Sequence, residues 1–225
     1  MKRILPIVCL LPVVALAQTP QQPDQTPRVP KVVPVPPLPK PKPNIAPPEP
    51  TDPPARNFTD ALTHISLRIP AGWTLSRRDG EVSTFHLDAR SAAPATGLRA
   101  VAAMQFNPLP WSTFAGGLFY LSTTPRITEA ACAAQATGQP NHPAAATTVG
   151  DVAFARGHDE HGLACIESRD EILTAYRRNA CVRFDLVVNT FCPEASGARA
   201  ITDQELQSLH DRLQKILDSA LFTPR

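Results

Sequence analysis

No Cys-x-x-Cys pair, Gly-x-Ser-x-Gly elbow, His-Glu-x-x-His helix or phosphate-cradling glycine loop occurs in these 225 residues. Their absence removes the usual sequence signals for a thioredoxin-like redox site, a zinc ribbon, an elbow-type serine hydrolase, a zinc protease and a P-loop. A basic run is also missing, and the formal charge is only +2. So nearly neutral a chain offers no electrostatic footprint for nucleic acid and no polybasic patch for an anionic membrane surface. The apolar run over residues 4–17 is shorter than the roughly 20 residues that a membrane-spanning helix needs.

What is present at the start is the layout of a secretory signal peptide. Lys2 and Arg3 precede the apolar run, which closes on Ala15-Leu16-Ala17 before Gln18. Residues 1–17 are expected to be removed, leaving an exported chain, periplasmic or secreted, with no integral span. An uncleaved anchor is the runner-up and would leave the domain on the same side of the membrane. Pro6-Ile7-Val8 lacks the small residues that a lipoprotein site at Cys9 requires. Cleavage removes two cations and no acid, so the mature chain is formally close to neutral. Cys132, Cys165, Cys181 and Cys192 remain, and an even set in an exported protein reads as two disulfides. Spacing leaves all three pairings open. Each bridge is worth ~2–4 kcal/mol, largely through the unfolded chain.

Residues 18–55 are dominated by proline, as in "VPKVVPVPPLPKPKPNIAPPEPTDPP", with no aromatic residue and no glycine. Proline fixes φ and lacks an N–H, so neither a helix nor an inner strand is expected. The segment reads as a disordered, extended polyproline linker that reaches roughly 115 Å at ~3.1 Å per residue. A stalk is favoured over a ligand for a proline-recognising groove. Residues 56–225 then suit a single domain with its own core.

In that domain Ile65, Leu67 and Ile69 alternate with Ser66 and Arg68, the period of a half-buried strand. Pro70 ends it, and Gly72 permits a turn that delivers Trp73 onto the core. "EVSTFHLDA" and "GLRAVAAMQF" read as two further strands of one antiparallel meander. Residues 107–125 mix chain breakers with large apolar groups and fit loop, helix or strand. "ITEAACAAQATG" reads as a helix capped by Thr128, stopped by Gly138 and carrying Cys132, followed by a loop. "VAFARG" is a strand. "EILTAYRR" and "CVRFDLVV" form a hairpin around Asn179-Ala180 that pairs Arg178 with Cys181. Leu173, Ala175, Val182, Phe184, Leu186 and Val188 then share a core face. Thr174, Tyr176, Arg183 and Asp185 share the other, suited to water or a thin cover. Thr202 and Glu205 make a capping box for a final helix. Its apolar stripe runs through Leu206, Leu209, Leu213, Ile216, Leu217, Ala220 and Leu221. The fold class is therefore α+β: an antiparallel sheet of about five to seven strands with helices packed on it, including a long C-terminal amphipathic helix.

The order of these segments resembles the PsbP-like family over most of residues 56–225. The likeness rests on the "ISLRIPAGW" strand and turn, the consecutive C-terminal strands and the closing "LQKILDSALF" helix. It implies an antiparallel sheet covered by helices, and a binding or assembly role more often than catalysis. It transfers no catalytic residue.

The chemically richest stretch is "RGHDEHG", residues 156–162. His158, Asp159, Glu160 and His161 are donor types for a divalent metal. On a strand, however, His158 and His161 would point to opposite faces, and the flanking glycines argue against a helix. A solvated turn between two strands is the favoured reading, with His86 or His142 as further ligands if a metal binds. Asp151, Asp159, Glu160 and Glu167 are acid–base candidates that no spacing singles out, and His210 reads as a surface histidine. The expected function is a non-catalytic exported binding or assembly module on a proline-rich stalk, without a cofactor. Its expected partner is an envelope protein or another envelope component. The alternative is a metal-binding protein or metal-dependent enzyme built on His158 and His161.

Overall fold

A computed structural model describes residues 47–77, 90, 97–136, 144–163 and 165–223. Among these residues, ten strands fall into two antiparallel sheets. The smaller sheet has the order β1-β2-β10, from Arg56–Asp60, Ile65–Ile69 and Leu221–Phe222. The larger has the order β3-β4-β5-β9-β8-β7-β6. Its strands in chain order are Trp73–Ser76, Leu98–Met104, Phe114–Pro125, Ala145–Val149, Val152–Leu163, Ile166–Arg177 and Ala180–Phe191. Helix α1 is Glu129–Ala134, α2 is the single turn Pro193–Ser196, and α3 is Asp203–Asp218.

The seven-stranded sheet bears out the α+β reading, and β2 shows the expected alternation of buried and exposed residues. β2 does not join the meander, however. Its partners are β10 and β1, a strand the alternation had not marked, in which Phe58 and Asp60 are buried. The chain reverses at Gly72 (φ 77°), and Trp73, 2% exposed, opens β3 against Met104 of β4. The strand expected over residues 81–89 lies outside the described residues, as do His86, His142 and Gly138. Of residues 107–125, the part from Phe114 to Pro125 forms the long strand β5, and residues 107–113 before it are irregular. Residues 145–149, expected as loop, form β6, because Gly150 (φ 59°) allows a two-residue turn that pairs Val149 with Val152.

β8 and β9 form the expected hairpin, with the turn one residue earlier than read. Arg178 (φ 53°) and Asn179 (φ 62°) both take left-handed backbone, and Arg177 pairs with Ala180. That moves the register by two, so the two faces keep their residues. Leu173, Ala175, Val182, Phe184, Leu186 and Val188 are all in the main core, covered by the small sheet and by Leu209, Leu213, Ile216 and Leu217 of α3. The capping box on α3 is present in both directions. The helix ends at Asp218, so Leu221 falls on β10 and is exposed rather than buried.

The opposite face takes a cover over most of its length, although Tyr176 near the turn is 38% exposed. Thr174, Arg183 and Asp185 are each at most 2% exposed, with Ile172 and Val187 fully buried among them. α1 lies over this side and is fixed to it by the Cys132–Cys181 disulfide. A second bridge, Cys165–Cys192, joins the start of β8 to the residue after β9. The hairpin is thereby pinned near both ends. Period two identifies which side chains share a face but is silent on what covers that face. Here α1 stops at its cap, Gln135, short of Gly138, and its last turn meets the sheet.

The "RGHDEHG" stretch is not a turn. It lies inside β7, with His158 opposite Glu171 and His161 opposite Ser168 of β8. Gly157 is there because α1 approaches so closely: a Cβ would sit 1.5 Å from the Ala136 carbonyl oxygen. At Gly162 the nearest atom would be 3.2 Å away. Gly157→Ala is therefore expected to lower stability by about 3 kcal/mol, since backbone must move against backbone. Gly162→Ala should cost less than about 1 kcal/mol. Urea unfolding of the two variants checks the contrast.

Candidate functional site

α3 crosses the core face of the large sheet, and one side of the helix overhangs β7 and β8. A groove of about 540 Å³ opens there, lined by Arg156, His158 and Glu171 from the strands and by Asp203, Gln207 and His210 among others from the helix. The strand residues reach it by alternation. Phe154 enters the core, so Arg156 and His158 lie on the same face of β7, and Glu171 stands opposite His158 across the ladder. On the helix, Asp203, Gln207, His210 and Gln214 recur at three- and four-residue steps and so share one side.

The groove has a charged floor. Arg156 Nε lies 2.8 Å from Glu171 Oε1, an ion pair that is not aligned as a hydrogen bond. Glu171 is only 5% exposed. Beside the pair, His210 is half-buried, and its Nδ1 has no hydrogen-bond partner among the described residues. Burial holds the His210 pKa below its ordinary value. Glu171 pulls it upward, and the nearby His158 and Arg156 charges push it down further. No hydroxyl or thiol lines the groove. Its groups can form hydrogen bonds, bind charge and exchange protons.

The structure separates the two histidines read together from the sequence. His158 faces this groove with Glu171 and His210, whereas His161 lines a different, shallower depression with Glu160, Glu167 and Arg169. His161 Nδ1 lies 3.6 Å from Asp159 Oδ2. Among the described residues, no group of three or more His, Cys, Asp or Glu is placed to hold a metal ion. Glu160 and Glu167 both pair with Arg169, at 3.7 and 2.9 Å. The histidine that sequence reasoning missed is His210. Its place beside Leu206, Leu209 and Leu213, at the margin of the apolar stripe, is the signal that would have found it.

No protein-family description matches the chain, and no curated protein matches it. Among solved structures it is similar to a protein of Bacteroides thetaiotaomicron at 10% identity and a TM-score of 0.44, covering 76% of this chain and 49% of that one. The chain thus spans about half the length of that protein. It is similar also to LpqN, involved in cell envelope biogenesis of Mycobacterium tuberculosis, at 16% identity and a TM-score of 0.42, covering 76% and 91%. The cyanobacterial PsbP of Synechocystis matches at 12% identity and a TM-score of 0.39, covering 75% and 92%. None of these likenesses assigns a role to a residue here. Among the described residues no helix is long and apolar enough to cross a membrane.

The buried histidine has a consequence for pH. A folded-state pKa below the unfolded value of about 6.5 means that the unfolded chain binds the proton first. Stability contributed above pH 6.5 is therefore lost as pH falls toward the folded value. Melting temperature measured between pH 5 and 7.5 should fall on acidification in the wild type, and His210→Gln should flatten that dependence.

Proposed function

We propose that this chain is an exported, non-catalytic binding or assembly module, carried on a proline-rich stalk, which holds a partner in the groove between α3 and strands β7 and β8. The observation that carries the reading is the groove itself. It presents a buried carboxylate paired with Arg156, two imidazoles and the polar side of α3, with no hydroxyl or thiol in its lining. Such a surface suits recognition of a polar partner, because each of these groups offers a directional hydrogen bond. Export is supported by the amino-terminal segment and by the two disulfides, which persist in oxidising compartments. The partner sought is an envelope protein or another envelope component, within the reach of the stalk.

A photoreactive phenylalanine derivative placed at Gln207, inside the groove, tests the reading against the same group at Lys215, which is exposed on α3 outside it. Irradiation in envelope extract should give a discrete adduct from position 207 and none from 215. Equal labelling from both positions, or from neither, would remove the groove as the binding surface. Deleting residues 19–55 should leave adduct formation in extract intact and abolish it in whole cells, where the stalk must supply reach. An undiminished adduct in cells would dispose of the stalk's role.

A further inference from the structure

A second cavity lies at the other end of the core, where the β8–β9 turn meets the β1–β2 turn and the end of β5. It encloses about 340 Å³, at the small end of the range of roughly 300–1,000 Å³ seen for small-molecule sites. Thr63, Thr123 and Val182 are its buried residues, Leu62, Pro125 and Ala180 add apolar wall, and Arg126, Arg177 and Arg178 stand around it. Among the described residues, none of these three arginines lies within ion-pair distance of a carboxylate. The carboxylate nearest in effect is Asp151, whose attraction for Arg177 ranks below the repulsion from Arg178. The adjacent Asp60 is already taken. It accepts from Arg99 at 2.6 Å and from the Thr63 hydroxyl at 2.8 Å.

The arginines are nonetheless held in place. The Arg177 guanidinium stacks over the Phe222 ring at 4.8 Å, and Arg178 donates to the Thr223 carbonyl at 3.0 Å. The Arg126 N–H donates to the Asn179 carbonyl at 3.1 Å, tying the two turns together. These contacts restrict the side chains and loops without neutralising a charge. Two of the three arginines also sit where the backbone disfavours them. Arg126 (φ 56°) and Arg178 (φ 53°) occupy left-handed conformations that crowd any residue with a Cβ, and which asparagine or glycine adopts at less cost. The two-residue β8–β9 turn requires left-handed backbone at its central positions, so the unusual feature is that arginine holds this conformation at two positions around one cavity.

We propose that this cavity binds a small anionic amphiphile, its carboxylate or phosphate head among Arg126, Arg177 and Arg178 and its apolar portion against Leu62, Pro125 and Ala180. Guanidinium groups match such oxyanions in shape as well as charge. The site is separate from the groove under α3, so either can fail without the other.

Calorimetric titration of the full chain with decanoate, decyl phosphate, decanol and inorganic phosphate tests it. Either anionic amphiphile, or both, should bind at least about tenfold more tightly than decanol, which lacks the head, and than inorganic phosphate, which lacks the tail. The tighter of decanoate and decyl phosphate identifies the head group. Arg126→Asn and Arg178→Asn should each weaken that binding by about tenfold or more while the melting temperature stays level or rises. Equal affinity for decanol and both anions would overturn the proposal, as would inorganic phosphate binding as well as decyl phosphate. So would asparagine variants that bind like wild type, or that lose binding only along with stability.

Discussion

Arg183 is among the largest fully buried side chains of the domain, and it carries a charge. A buried ion left alone costs several kcal/mol, so its neighbours decide whether the face around it can close. Its guanidinium donates to Asp185, with Nε 2.8 Å from the carboxylate, and to the Gln135 carbonyl of α1 at 3.3 Å; Asp170 lies 3.7 Å away. Burial pushes the Asp185 carboxyl up, against the opposing pull of Arg183 and a hydrogen bond with Asp170. One contact therefore joins the central hairpin to the helix that covers it. The Cys132–Cys181 bond lies on the same face, two residues before Arg183, and Gly157 supplies the space in which Ala136 comes to rest.

With its outer face closed in this way, the hairpin is buried on both sides, and its inner face takes the small sheet and α3. That division determines where openings remain. The apolar stripe of α3 covers the middle of the sheet, and its flank at Gln207 and His210 overhangs β7 and β8 to leave the polar groove. The small sheet covers the other part of the inner face, and where its β1–β2 turn meets the β8–β9 turn the arginine-lined cavity is left. Both cavities are boundaries of covering elements. Their linings combine buried residues, such as Glu171 and Val182, with exposed ones, such as Gln207 and Leu62.

Local order was legible in the sequence wherever one side chain period answered one question. The α3 capping box, the inner face of the hairpin and the turn at Gly72 all follow from spacing and residue type. The identity of covers was not legible, because Thr174, Arg183 and Asp185 have the composition of a wet face and are covered by α1, which joins them from about 50 residues earlier in the chain. The hairpin turn was misplaced by one residue because Asn179-Ala180 looked the better turn pair. In fact Arg178 accepts left-handed backbone, which its residue type does not advertise. His210 was read as a surface group because the helix pattern shows the stripe but not the Arg156–Glu171 pair on the neighbouring strands. Phe58 and Asp60 were missed because β1 has a single apolar residue, Phe58, and so displays no alternation of its own.

The charge density of "RGHDEHG" follows from its place in the sheet. β6 pairs only with residues 152–156 of β7, so among the described residues the strand from Gly157 onward has no neighbour on that side. An unpaired stretch of strand offers N–H and C=O groups to any other chain, and charged side chains oppose such pairing. His158, Asp159, Glu160 and His161 lie on that stretch, with an ion pair from Glu160 to Arg169 and a close approach of His161 to Asp159. The same alternation sends His158 toward the groove and Gly157 toward α1. A segment that reads as one cluster in the sequence thus meets two separate structural demands, a close helix contact and one wall of a polar groove.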